Sequence, residues 1–182
     1  MEGGINAWKG LVAEGTPQSG MAYFSPATKS EEWMALAWIM EDGTRKFYAE
    51  LATGLKDDEA RDLYVQLSEA EENHKAALLR LYNETPDKMS GLEFPWGLIS
   101  DGRQDDVMEG GMRIGEALQW AKGKKTTDVL ELTLSLETNA YDLYLIMERR
   151  MGEKRTAQVF HVLAGEEKQH LERLSLLLEK KM

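Results

Sequence analysis

Two Glu-x-x-His pairs, Glu71–His74 and Glu167–His170, constrain this chain most, because both interrupt helical stripes of apolar residues. Leu63, Leu67, Leu78 and Leu81 recur at helical spacing around the first pair, and Phe160, Leu163, Leu174 and Leu177 around the second. Residues three apart on a helix share a face, so each pair can close on one centre. Thirty positions before each pair stands another glutamate, Glu41 and Glu137, and each again lies on an apolar stripe. The two halves superimpose at an offset of 96: Glu41 on Glu137, Tyr48 on Tyr144, Leu67 on Leu163, Glu71 on Glu167, His74 on His170 and Leu78 on Leu174. A helical hairpin is therefore repeated within the chain.

Four carboxylates facing one interior are costly unless something offsets them. Two divalent cations supply four positive charges against four glutamates. Four glutamates and two histidines offer six ligand side chains, and oxygen and imidazole donors suit iron or manganese better than a soft metal. The competing reading is surface glutamates beside ordinary core histidines.

The helical patterns predict an all-α fold. The first helix starts near Thr28–Glu31, which have capping-box spacing, and carries Met34, Ala37, Trp38, Tyr48, Leu51 and Ala52 to Gly54. A second starts near Asp57, carries Leu63, Leu67, Ala70, Leu78 and Leu81, and ends before Pro86. A third starts near Thr127, where Asp128 and Glu131 suggest a cap, and runs through Leu130, Leu134, Tyr141, Tyr144 and Met147 to Gly152. The fourth carries Phe160, Leu163, Ala164, Leu171, Leu174 and Leu177 to the end. At about 25 residues, each would be roughly 38 Å long. Joins around Lys56 and Gly152-Glu153 make the helices of each pair antiparallel neighbours. The roughly 40 residues from Pro86 to Lys125, with a short helix over Ile114–Ala121 and glycines at Gly110-Gly111, are long enough to cross the whole bundle. Two hairpins and one long crossover make a ferritin-like four-helix bundle. Bundles of this kind that hold two metal ions take a glutamate from each of two helices and Glu-x-x-His from each of the other two.

Composition narrows the partners. Acids outnumber bases 32 to 22, for a net charge of -10, which disfavours nucleic acid and anionic membrane surfaces. The longest apolar run, Trp33 to Met40, is far short of the roughly 20 residues that span a bilayer. No signal peptide is visible, so the expected location is cytoplasmic. The absence of cysteine excludes disulfides, thiolate metal sites, cysteine nucleophiles and iron–sulfur centres.

Residues 1–28 read as a separate N-terminal helix and linker. Ile5, Ala7, Trp8, Leu11 and Val12 share one side of a short helix, and Gly15-Thr16-Pro17 stops it. The run Met1-Glu2-Gly3-Gly4-Ile5-Asn6-Ala7-Trp8-Lys9-Gly10 is similar to the last helix of a rhodanese domain. Without a cysteine such a remnant has no sulfurtransferase activity, and a plain amphipathic helix is the alternative.

Residues 30–182, within a domain spanning 29–182, resemble a rubrerythrin-type member of the ferritin-like superfamily. Glu41 with Phe47-Tyr48, Glu71-x-x-His74, Glu137 with Tyr144, and Glu167-x-x-His170 carry the resemblance. It implies a di-iron site with Glu41, Glu71, His74, Glu137, Glu167 and His170 as ligands, Glu71 and Glu167 as bridges, and two iron ions per chain, with manganese or zinc also acceptable. It implies reduction of hydrogen peroxide or dioxygen, a homodimer, and Tyr48 and Tyr144 beside the ligands. Seven residues advance about 10 Å along a helix, so each tyrosine should meet a ligand from another helix; two plain core tyrosines are the alternative. Rubrerythrins carry a further glutamate three residues after the third-helix ligand, where this chain has Ala140, with Thr44 as its repeat mate. The electron-donor domain with four cysteines, often attached in that family, has no counterpart here, so a separate protein such as a rubredoxin is the expected donor. Ferrous oxidation with iron handling, and a non-enzymatic metal-binding or oxidant-sensing module, are the rival functions. His161 lies off the ligand face and reads as a structural or surface histidine. Glu50, Glu72, Glu148 and Glu166 read as solvated, with one of them available to stand behind the ligands or at an access route. Trp33 and Trp38 read as bundle packing, and Asp105-Asp106 as a solvated loop.

Overall fold

The computed structural model describes residues 29–85, 92–99 and 106–182. The described residues form five α-helices: α1 (Ser30–Gly54), α2 (Asp58–Glu84), α3 (Ile114–Ala121), α4 (Thr126–Arg150) and α5 (Lys154–Lys181). The expected N-terminal helix and rhodanese-like run fall within residues 1–28, outside the described residues, as does Asp105.

Two hairpins pack into one bundle: α1 against α2, α4 against α5, and α2 against α5. Ion pairs show the direction of the last pairing. Lys180 and Lys181, at the end of α5, reach Glu59 at 2.6 Å and Asp57 at 2.7 Å, at the start of α2. Arg155, at the start of α5, pairs with Glu84 at the end of α2. The two helices are therefore antiparallel. Ion pairs near the surface contribute little, so these report geometry more than stability.

The helix starts correct two expected caps. Helix α1 begins after Lys29, whose backbone N–H donates to Glu32 Oε2 at 2.9 Å, so Glu32 closes the turn and not Glu31. In α4 the Lys125 N–H donates to Asp128 Oδ2 at 3.4 Å, which makes Asp128 the receiving acid and not the capping residue. In both cases an acid three residues into the helix accepts from the cap backbone, so the true cap lies three residues earlier than the acid. Asp57 caps α2 as expected, accepting from the Ala60 N–H at 3.2 Å.

Apolar side chains form two layers. One contains Met34, Ala37, Leu78, Leu81, Ala140, Tyr144, Met147, Phe160 and Leu163. The other contains Phe47, Tyr48, Leu63, Tyr64, Leu67, Leu130, Leu136, Leu174 and Leu177, with Met108, Met112 and Ala117 from the crossover. Along each of the four long helices, the expected ligand residues lie between these two layers. Among the described residues no helix is long and apolar enough to cross a membrane.

The crossover is fixed to the bundle at one tight contact. An alanine Cβ at Gly43 would lie 2.1 Å from the Val107 carbonyl oxygen, so only glycine lets the two backbones approach this closely. Gly110 and Gly111, with φ of 71° and 73°, then turn the chain back through a 3-10 turn, Glu109–Gly111, which packs on α1 and α4.

Candidate metal centre

The six residues converge in the middle of the bundle. Glu41 and Glu137 come from α1 and α4, and the two Glu-x-x-His pairs from α2 and α5. All four carboxylates are fully buried, and His74 and His170 are 1% and 4% exposed. Donor atoms of Glu41, Glu71, His74 and Glu167 lie within 4.8 Å of one another, and those of Glu71, Glu137, Glu167 and His170 form a second such group. Glu71 and Glu167 belong to both.

Their oxygens divide between the two histidines. His74 Nδ1 lies 2.9 Å from Glu71 Oε2 and 3.0 Å from Glu167 Oε1. His170 Nδ1 lies 3.2 Å from Glu167 Oε2 and 3.6 Å from Glu71 Oε1. Each of these carboxylates thus offers one oxygen to each side. The outer glutamates serve one side only: Glu41 Oε2 is 3.3 Å from His74 Nδ1, and Glu137 Oε2 is 3.1 Å from His170 Nδ1. The imidazole rings stack with centroids 5.4 Å apart. All four oxygens of Glu71 and Glu167 are buried without a hydrogen bond. Buried polar atoms left this way are costly, and here they are aimed at a common space.

Tyr48 donates to Glu137 Oε1, and Tyr144 donates to Glu41 Oε1. Each hydroxyl crosses to the opposite hairpin, as the rise along the helix requires. Phenylalanine at either position should retain the fold and weaken metal binding by about 10- to 100-fold, because a hydrogen bond that orients a ligand carboxylate is lost. Titration of folded Tyr48→Phe and Tyr144→Phe with Mn2+ checks this, and unchanged affinity would reduce both tyrosines to packing residues.

Charge is distributed unevenly. Burial pushes the Glu71 carboxyl up, and the charges of Glu41 and Glu167 add to it, leaving it well above the usual range. Burial and the Glu137 charge raise Glu167 to about 7. Burial also opposes ionisation of Glu41 and Glu137. The charge of His74 and the Tyr144 hydroxyl outweigh it at Glu41, which is lowered. The approach of Glu167 and His170, with the Tyr48 hydroxyl, brings Glu137 to about 2. Burial lowers the histidines, but the carboxylates win: His170 rises to about 10, and His74, facing Glu41 and Glu71, rises well above its usual value. Protons on Glu71, Glu167, His74 and His170 therefore balance this interior in the metal-free chain.

Other residues surround the cluster. Glu109, in the crossover, is 1% exposed and was not singled out by the sequence. Its backbone N–H donates to Thr44 Oγ1 at 3.3 Å, and the Thr44 hydroxyl donates to Glu109 Oε2, also at 3.3 Å. Burial, with Glu41, Glu167 and Glu137 nearby, holds its carboxyl well above the usual range. Lys75 and Asp42 are buried and pair at 2.7 Å, joining α2 to α1 beside the ligands. Lys75 also reaches Glu72 at 2.9 Å and lies over the Trp38 ring at 4.6 Å. Glu166 reaches inward: its Oε2 lies 2.9 Å from His74 Nε2. Glu50 is exposed. His161 is exposed too, with Nδ1 3.1 Å from Glu148 Oε1, as expected of a surface histidine. Trp33 is buried in the core, and Asp106 accepts from Arg113 at 2.7 Å. A cavity of about 210 Å³ opens beside the histidines, lined by Ala70, Asn73, His74, Glu166, Gln169, His170 and Arg173.

The chain has an all-α bundle fold. The solved structure of a hypothetical protein from Pyrococcus furiosus is similar to it, with a TM-score of 0.62 and 26% sequence identity, over 91% of this chain and 95% of that one. No protein-family model and no curated protein sequence matches the chain.

Proposed function

We propose that the chain is a rubrerythrin-type, non-haem di-iron oxidoreductase that reduces hydrogen peroxide or dioxygen. The observation that carries this reading is the pair of four-residue donor groups sharing Glu71 and Glu167, whose four oxygens are buried without a hydrogen bond. The donor chemistry fits two hard or borderline divalent ions, iron above all, with manganese or zinc also acceptable. When bound, the metal pair supplies electrons and Lewis acidity for the reduction.

The chain's own residues supply the rest. Glu71 and Glu167 would hold both ions, Glu41 and His74 one, and Glu137 and His170 the other. Tyr48 and Tyr144 orient the outer carboxylates through their hydrogen bonds. The apolar layers on either side exclude bulk water, so a small oxidant has its route through the polar cavity beside His74 and His170. A redox protein such as a rubredoxin is the proposed electron donor. A cytoplasmic homodimer completes the proposal. Iron handling is the second reading, and the half-exposed Glu166 lining the cavity favours it by giving a cation an acidic step inward.

Anaerobic loading with ferrous iron should give two ions per chain. Stopped-flow mixing should then oxidise them faster with peroxide than with dioxygen. Loading below two ions would sink the di-iron reading, and faster reaction with dioxygen would overturn the peroxide preference.

A further inference from the structure

The repeat makes the six ligands nearly symmetric, but their surroundings are not. Glu166 stands against His74 Nε2 at 2.9 Å, and the position 96 residues earlier, which would serve His170, is Ala70. Thr44, one turn beyond Glu41, holds the buried carboxylate of Glu109, and its repeat mate beyond Glu137 is the buried Ala140. The Glu166 carboxylate therefore stands on the Glu41–His74 half, whereas Glu109 lies beside Glu41, Glu167 and Glu137 together. The places related by the repeat to Glu166 and to Thr44 carry alanines, Ala70 and Ala140. The crossover that delivers Glu109 is single, so it has no counterpart on the other half. Its position is fixed by the close approach at Gly43 and the two hydrogen bonds to Thr44.

From this asymmetry we infer that the two metal positions are unequal: the Glu41–His74 position fills first and holds its ion more tightly, because Glu166 adds negative charge to that half. This rests on the reading of the cluster as a two-metal site. The buried oxygens of Glu71 and Glu167 face both positions, one oxygen of each carboxylate to each side, so both residues serve both ions. Glu166 makes the choice through His74. Its Oε2 lies 2.9 Å from the far nitrogen of that ligand imidazole, so it acts by its charge, and losing a residue that supports a ligand in this way costs about 10- to 100-fold in metal affinity. Glu166 is a positioning residue and not a ligand.

Anaerobic titration of the full chain with Mn2+, followed by calorimetry and electron paramagnetic resonance, tests the inference. The wild-type chain should bind in two steps separated by at least about tenfold, with an uncoupled manganese signal at one equivalent. Glu166→Gln keeps the side-chain shape, and it should weaken the first step while sparing the second. His74→Ala should abolish the tight step and His170→Ala should retain it. Ala70→Glu, which points a carboxylate into the cavity beside His170, should tighten the second step. Melting of the metal-free variants separates these effects from unfolding. Two ions bound with one affinity, or a Glu166→Gln variant that weakens both steps equally, would overturn the inequality and leave the two-metal reading standing. A wild-type chain that binds no Mn2+ would overturn both.

Discussion

Alanine at Glu71 or at Glu167 should strip both metal ions from the chain, not one. Each carboxylate presents one oxygen to the His74 side and the other to the His170 side, and both belong to both donor groups. Removing one leaves three donor residues in each group. The loss should exceed about 100-fold for each ion, the upper end of what far milder changes around a metal site cost. Glu41→Ala is the contrasting case. Glu41 belongs to one group only, so that variant should lose one ion and keep the other. Metal analysis after dialysis, on variants shown by circular dichroism to be helical, reads both numbers. Retention of one ion at wild-type affinity by Glu71→Ala would refute the bridging role. Glutamine at the same positions should lose the metals equally. It should also raise the melting temperature of the metal-free chain, because a neutral amide is less costly to bury than a carboxyl crowded by other acids.

Metal affinity should depend steeply on pH. Glu71, Glu167, His74 and His170 all favour their protonated forms in the metal-free chain, and a metal ion binds only the deprotonated donors. Two ions would therefore displace up to about four protons, two for each ion. Below pH 7 the apparent affinity should rise by up to about 100-fold per pH unit for each ion. The slope should lessen above about 7, where Glu167 has already lost its proton. The sign for the metal-free fold is opposite. Glu167 has a value raised from 4.5 to about 7, so its contribution to stability is fully present below 4.5 and is lost as pH rises through 7. Calorimetry in buffers with different ionisation enthalpies counts the protons directly. Fewer than one proton released per ion at pH 6 would contradict the proton-balanced interior.

The bundle and its six central residues were legible because they set two patterns against each other. Helical periodicity fixed which face of each helix turns inward, and breakers at Gly54, Pro86 and Gly152 limited the helices. A glutamate on such a face stands out from its neighbours, as Glu41 does between Ala37 and Tyr48. The tyrosine pairings were legible too, because the rise of a helix carries Tyr48 away from Glu41 and toward another helix. Glu109 was not legible. It lies in a crossover without periodicity, and nothing local says that Gly43 lets that backbone reach the bundle. Glu166 was ambiguous because it neighbours Glu167 on a helix face directed partly to solvent, and its contact with His74 depends on how two hairpins dock. The same holds for Lys75, buried by its pairing with Asp42 from α1. Cap positions slipped because an acid near a helix start can either cap the helix or accept from the cap backbone.

Exchange of the two shared glutamates has a mechanical meaning. One donor group takes three residues from the α1–α2 hairpin and Glu167 from the other; the second takes three from the α4–α5 hairpin and Glu71 from the first. With ions in place, each hairpin would grip its own ion and the neighbour's together, so the hairpins could not separate without breaking coordination on both. A chain without cysteine would in this way acquire a reversible rivet, closing the long crossover loop between α2 and α4 as a disulfide closes a loop in other proteins. Adding a chelator would then do more than empty a site: it would unfasten one half of the molecule from the other.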